Sequence, residues 1–414
     1  MKEADASRRW AHSLIVAQVA LGLMARLALA FVMSDQRALS PPGAAEYAGI
    51  ARSVAEGNGF VLPGSTAGQN VLAGRMPGYP LVLAAIETAT QKPVRWLAIV
   101  QGICGTLATI VAMMIAWRLA GPWAAVVTAV LIVPDPFQFY FAGMVSPQVL
   151  LGLALIIVVA AGLQVIDAAG DPGRRMWPWA VVAGIGLAAA AYLEVLSLGL
   201  ALVAPVAAVF AKSRKRLLTG WILGAAVVAV LLTPWLVRNE MRLGRPVLVT
   251  SYGVRLYDVV AADAGQGVEA REALARQAEG LDEAGRDALF TGAAVRAFGA
   301  DPVGGLRRIG EGVIRIWSPT SAADVAPLSP ILSYTYVIVT LILALVGAVA
   351  MWRRRAALVW MLLVVATMSV AAAKFGGGPA DRVALMPVLA LIGGVGMAML
   401  MGKGAKPAET PVRV

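Results

Sequence analysis

The chain has 414 residues, 59% of them hydrophobic and only 14% charged, with a mean hydropathy of +0.76 and a net charge of +11. Soluble domains are roughly 45–50% apolar and about 25% charged, so the composition excludes an ordinary soluble domain and identifies an integral membrane protein. A single cysteine, Cys104, excludes an internal disulfide, and a single histidine, His12, leaves no His/Cys set for zinc or haem, so no metal and no cofactor is expected; any metal chemistry would have to use carboxylates.

Crossing a hydrocarbon core of roughly 30 Å takes about 20 apolar residues. Windows of that kind fall at 13–33, 96–117, 122–138, 145–166, 177–194, 196–211, 217–236, 331–351, 356–373 and 383–401, predicting an all-α polytopic bundle of about ten transmembrane helices. The pairs 122–138 with 145–166, and 177–194 with 196–211, are spaced as tight helical hairpins. The "ALA" at 28–30 resembles a signal-peptidase site. Arg26, however, interrupts the would-be apolar core of a signal peptide, and removing the first span would invert every later loop.

Charge orients the bundle. With ten spans and both termini on one side, the pieces on that side carry 16 Lys/Arg against 5 Asp/Glu, which is +11. The other side holds 19 of each sign and is neutral. This is the asymmetry of a bacterial inner-membrane protein with cytoplasmic termini. Topology therefore explains the basic balance, and no nucleic-acid partner is expected.

Two extracytoplasmic segments follow, 35–93 and 237–330, within what reads as one domain over 1–414. The second holds 11 Arg and 12 Asp/Glu. Its stretch 269–298 (EAREALARQAEGLDEAGRDALFTGAAVRAF) reads as charged, Ala-rich amphipathic helix, either a solvated hairpin or a cap over a cavity. Trp96, Trp117, Trp177, Trp179, Trp235 and Trp317 stand near span ends, as an interfacial aromatic belt would.

The first external segment contains "EYAGIARSVAEGNGF" and "RMPGYPLVLAAI" directly after span one. Further on stand "LLTPWLVRNEMRLGRPVLVTSYGVRLYD" (231–258), "PDPFQFYFAGMVSPQVLLGLAL" and "ADRVALMPVLALIGG" (380–394). In this order, over nearly the whole chain, they resemble the GT-C type glycosyltransferases that use polyprenyl-phosphate sugars, the dolichyl-phosphate-mannose–protein mannosyltransferase and aminoarabinose transferase-like group. The resemblance implies a GT-C bundle with extracytoplasmic juxtamembrane helices. It implies transfer of a sugar from a polyprenyl-phosphate donor to a lipid or glycan acceptor at the periplasmic face, among membrane lipids.

Such a reaction needs a carboxylate to take the acceptor proton and cations to hold the leaving phosphate. The family's Asp stands four residues before a Tyr, and Tyr47 minus four is Gly43, a departure that puts catalysis in doubt. Glu46 is the first substitute and Asp35 the second; both also read as plain solvated acids. A frequent family Glu is Gln148 here, and "TRPE" is reduced to "AYLE", keeping Glu194.

Arg75 of "RMPGYP", Arg238 of "PWLVR" and Arg382 are expected to converge on a phosphate, against the alternative of interfacial snorkelling. Lys374 beside "FGGGP" is a further candidate or an ordinary loop lysine. Tyr47, Tyr79, Asn239 and Glu194 complete the expected substrate-binding set. Arg26 and Glu194, near or within spans, also read as members of structural ion pairs. Two competing classes are a catalytically inactive relative that binds lipid-linked sugar or scaffolds an envelope-glycan assembly, and a transporter or flippase. A transporter would show paired repeats or broken helices, and no repeat is evident.

Overall fold

The computed structural model describes residues 2–32, 34–66, 69–261, 267–318 and 330–402. The expected tail charges Lys403, Lys406, Glu409 and Arg413, and the loop stretch 319–329, lie outside them.

Helix α1 (Lys2–Val32) leads to α2 (Asp35–Ala38), α3 (Ala44–Ala55), a small antiparallel hairpin of β1 (Leu62–Thr66) and β2 (Gln69–Val71), and α4 (Gly78–Ala89). The bundle continues with α5 (Pro93–Ala120), α6 (Pro122–Ile132), α7 (Pro136–Phe141), α8 (Gln148–Gly170) and α9 (Trp177–Leu193). Short turns of helix over Val195–Leu198, α10 (Gly199–Val203) and Ala204–Phe210 lead to α11 (Arg214–Leu243). The second long segment folds as α12 (Tyr252–Val260), α13 (Gly267–Gln277), α14 (Glu283–Ala300) and α15 (Pro302–Trp317). Helices α16 (Pro330–Ala350), α17 (Arg355–Ala373) and α18 (Met386–Leu400) close the bundle.

Among the described residues, the stretches Arg9–Val32, Pro93–Ala120, Gln148–Gly170, Arg214–Leu243 and Ile331–Ala373 are long and apolar enough to cross a membrane. Outward-facing apolar side chains such as Met114, Ile222, Val230 and Leu345 are each about two-thirds exposed, a surface that water would penalise and lipid accepts.

Two expected spans are not continuous helices. The window 122–138 breaks after Ile132 because Pro134 has no N–H to continue the ladder; Asp135 then caps α7, which starts at Pro136, its Oδ1 accepting from Phe137 N (2.9 Å) and Gln138 N (3.3 Å). The window 196–211 is broken into short turns around Pro205. The windows 331–351 and 356–373 are joined by a single turn over Met351–Arg354. Helix α11 runs past its expected end to Leu243, carrying "PWLVRN" beyond the apolar window.

Helix α18 is the central rod, buried on nearly every face. It admits its neighbours because it lacks side chains where they touch. A β-carbon on Gly396 would stand 2.1 Å from Gly347 Cα of α16, and one on Gly394 would stand 2.7 Å from Thr128 N of α6. Small residues at such crossings let backbones pack at van der Waals distance.

The two ends of the bundle differ. At the end carrying the short connections, Arg118 donates to Asp167, and Arg216 donates to the carbonyls of Ala169 and Arg174. These belong to the charge-rich connections expected on one side. The opposite end carries all the long segments. There the stretch 269–298 forms the hairpin α13–α14, turned at Gly280 (φ 83°) and restarted by Asp282, whose side chain accepts from Gly285 N.

Candidate functional site

The two segments "RMPGYP" and "PWLVRN" meet at the long-segment end. Arg238 donates to the carbonyls of Leu72 (2.6 Å) and Phe60 (2.8 Å), and its guanidinium lies over the Phe60 and Trp235 rings. Asn239 donates to Val247 O (2.7 Å), and the Trp235 indole donates to Leu248 O (2.8 Å). Glu283 of α14 accepts from the backbone N–H groups of Leu72 (2.6 Å) and Ala73 (2.9 Å) and from the Thr250 hydroxyl. The backbone leading into Arg75 is thus held from α11, from the stretch before α12, where Thr250 N donates to Ala73 O (3.0 Å), and from α14.

That clamp sets Arg75 between two cavities. The inner cavity, about 580 Å³, is walled by the ends of α8 and α17 (Leu151, Met368, Ala372) and by the loops around Gly43 and Gly376–Gly378. The outer cavity, about 350 Å³, is walled by α3, the β-hairpin, α12 and the α13–α14 hairpin, none of which is a spanning helix. Arg75 and Arg255 line both.

Their situations differ. Arg75 Nε donates to Glu46 (2.8 Å), and its guanidinium stands 5.0 Å from the Tyr47 ring centre. It also occupies the space in front of Gly43, where a β-carbon would meet Arg75 Nη2 at 2.6 Å. Gly43 has φ +81°, so a side chain there would be strained twice over. Arg255, half-buried on α12, has no hydrogen-bond or ion-pair partner among the described residues.

Three carboxylates surround these guanidiniums. Glu46, exposed at the edge of the outer cavity, pairs with Arg75. Glu194, at the end of α9, lines the inner cavity and accepts from the Tyr252 hydroxyl, whose ring stacks on Phe375. Asp381 lines the inner cavity too; Gly378 N donates to its Oδ2 (2.8 Å) and the Gln148 amide to its Oδ1 (3.4 Å). Burial pushes the Asp381 carboxyl up to about 6, only partly offset by the Gly378 N–H. Burial also raises the Tyr47 hydroxyl to about 12, keeping it neutral as a donor.

Of the expected residues, the structure brings Arg75, Glu46, Tyr47 and Glu194 together. Tyr79 is one layer behind, buried with its hydroxyl on Gln101 (3.3 Å) and its ring edge-on to Tyr47. The expected convergence of three arginines does not occur. Arg238 and Asn239 act on backbone carbonyls, as above. Arg382 is buried in the bundle, donating to the carbonyls of Ile316 (3.2 Å) and Ser318 (3.0 Å) with its guanidinium 4.1 Å from the Phe137 ring centre.

Asp35, in the first turn of α2, and Lys374 are exposed and line neither cavity. Trp235 and Trp317 leave the expected belt: Trp235 packs inward and Trp317 donates to Ser369 Oγ. Arg255 and Asp381 were missed by the sequence reading, although both lie inside the two stretches that carry the resemblance, 231–258 and 380–394.

The sequence matches no family model and no curated relative. Solved structures do match. The Archaeoglobus fulgidus oligosaccharyltransferase in its apo form superposes with a TM-score of 0.60 at 16% identity, over 95% of this chain and 51% of that one. The same archaeal enzyme, AglB, in complex with an inhibitory peptide and a dolichol-phosphate gives 0.58 at 14%, over 95% and 50%. The chain has the GT-C fold. It spans about half the length of the oligosaccharyltransferase it matches. ArnT from Cupriavidus metallidurans bound to undecaprenyl phosphate gives 0.44 at 18%, over 93% of this chain and 78% of that one.

Proposed function

We propose that this protein transfers a sugar from a polyprenyl-phosphate donor to a lipid or glycan acceptor at the periplasmic face of the inner membrane. The observation that carries the reading is Arg255, a guanidinium in the wall shared by two cavities that has no hydrogen-bond or ion-pair partner among the described residues. A half-buried cation left unpaired is costly unless an anion completes it. The inner cavity adjoins spanning helices and offers apolar wall to a polyprenyl chain, and a matched archaeal enzyme was solved with a dolichol-phosphate.

In this reading Arg255 and Arg75 hold the donor phosphate. The acceptor hydroxyl oxygen attacks the anomeric carbon, the sugar–phosphate C–O bond breaks, and its electron pair goes to the phosphate oxygen. The guanidiniums stabilise the charge that develops there. The acceptor proton passes to Asp381, whose carboxyl near 6 is ionised at neutral pH yet basic enough to receive it. Glu194, fixed by Tyr252, orients sugar hydroxyls, and Glu46 positions Arg75.

The test is equilibrium binding of undecaprenyl phosphate to the protein in nanodiscs. Arg255→Ala should weaken it by about 1.5–3 kcal/mol, the worth of a charge-assisted hydrogen bond, and unchanged affinity would refute the assignment. The orientation rests on the charge partition: reporter fusions after residues 65 and 354 should read outside and inside respectively, and the reverse would put the cavities on the wrong face.

A second reading is favoured by Gly43. The Arg75 guanidinium fills the space of the family's Asp, which suits a protein that retains lipid-sugar binding without transfer. Undecaprenyl-phosphate binding with no sugar transfer to any acceptor would select this reading.

A further inference from the structure

The outer cavity is not needed to hold a lipid-linked donor, yet it is built with charge. Six charged side chains line it: Arg75, Arg255, Arg286, Glu46, Glu279 and Glu283. Three are committed within the protein. Glu46 is held by Arg75, and Glu283 takes two backbone N–H groups and the Thr250 hydroxyl. Among the described residues, the side chains of Arg255, Arg286 and Glu279 have no hydrogen-bond or ion-pair partner.

The two free guanidiniums are half-buried, whereas Glu279 is exposed at the rim, where water and salt screen it. Inside the cavity the uncommitted charge is therefore positive. The two helices that carry the guanidiniums are tied together beside them, because Gly253 N, two residues before Arg255, donates to Oδ1 of Asp287 (2.7 Å), the residue after Arg286. A β-carbon on Gly253 would stand 2.3 Å from Asp287 O, so α12 and α14 are in direct backbone contact at this point. The remaining wall is aliphatic, from Ile50, Leu62, Val71 and Val254.

We infer that the outer cavity binds an anionic group, a carboxylate or phosphate, of the acceptor between Arg255 and Arg286. Assigning the ligand as acceptor rests on the transferase reading above; the anion site itself does not. No spanning helix is among the elements that line the cavity, so the group it takes is expected to arrive from the aqueous side. Because Arg255 also lines the inner cavity, the acceptor anion is held next to the donor phosphate site. A neutral sugar would leave Arg286, which lines only the outer cavity, uncompensated, and this makes net charge the discriminating property.

The test measures equilibrium binding of sodium glucuronate, inorganic phosphate and glucose to the full-length protein in nanodiscs, with undecaprenyl-phosphate binding measured on the same samples. At least one anion should bind and glucose should not; glucuronate binding tighter identifies a carboxylated sugar, and phosphate binding tighter a phosphorylated one. Arg286→Ala should weaken the anion by about tenfold or more, as loss of a charge-assisted hydrogen bond does, with undecaprenyl-phosphate affinity unchanged.

Glu279→Gln, which removes only a rim charge, should strengthen anion binding and guards against a misfolded alanine variant. Glucose binding as well as the anions, no anion binding, or an Arg286→Ala affinity equal to that of the unaltered protein would overturn the inference. Anion binding that depends on Arg286 with no undecaprenyl-phosphate binding would leave the site standing and remove the transferase reading.

Discussion

Two groups of charge lie inside this apolar protein, and they behave oppositely. Within the bundle, Arg26, Asp135 and Arg382 are fully buried, and Arg382 is packed against carbonyls and an aromatic ring. At the long-segment end, Arg75, Arg255, Glu194 and Asp381 face open volume. A guanidinium satisfied by backbone carbonyls ties segments together, as Arg382 ties α15 to the start of α18 and Arg238 ties α11 to the β-hairpin. One facing a void with no partner is available to a ligand. Residue type and membrane depth alone do not separate the two cases.

The comparison breaks first at Asp381. Asp381→Asn should lower sugar transfer about 10²–10⁴-fold, the usual worth of general acid–base catalysis, while the thermal unfolding midpoint holds or rises. The sign follows from the raised carboxyl: because burial disfavours its ionised form, the fold is favoured by protonation, and that contribution is fully present below the ordinary carboxylate range and lost as pH climbs through about 6. Activity runs the other way, increasing through about pH 6 as the base ionises, and Asp381→Asn should remove that limb. A transfer rate independent of pH between 5 and 7 would shift the role to Glu194.

Arg382→Ala should act on the fold instead. Losing the buried donor that holds two carbonyls leaves them unsatisfied, at about 1–3 kcal/mol, read as a lower unfolding midpoint in detergent. Undecaprenyl-phosphate affinity of the surviving folded fraction should not change. A variant that stays fully stable but no longer binds the lipid would move Arg382 into the ligand group.

The smallest effect belongs to Glu46, whose side chain is 42% exposed. Glu46→Gln takes the charge from the pair with Arg75, whose side chain is only 10% exposed, while the amide oxygen can still accept from Nε, so stability should fall by about 1 kcal/mol. Transfer should fall only modestly, as Arg75 is less firmly placed. Complete loss of transfer with donor binding intact would make Glu46 itself the base and displace Asp381.

Much of the molecule was determined by local pattern. The apolar windows, the charge partition and the hairpin at 269–298 depend on residues near each other in the chain, and most of the expected helices formed. The two that broke did so at Pro134 and Pro205, where proline removes backbone donors that a hydropathy window does not count. The meeting of "RMPGYP" with "PWLVRN" was expected only as a convergence of Arg75 and Arg238 on a phosphate, and their contact is instead a clamp on backbone carbonyls.

What the sequence could not assign was the direction each charge faces. Arg382 is spent on carbonyls 64 and 66 residues away in the chain, and Glu283 reaches back 210 residues to Ala73. Among the described residues Arg255 makes no ion pair, because α3, α12 and the loop before α18 enclose volume around it without bringing a carboxylate into contact. Satisfaction of a charged group is a property of the elements that tertiary packing brings to it, so motif membership selected the right stretches while the packing alone chose Arg255 and Asp381 within them.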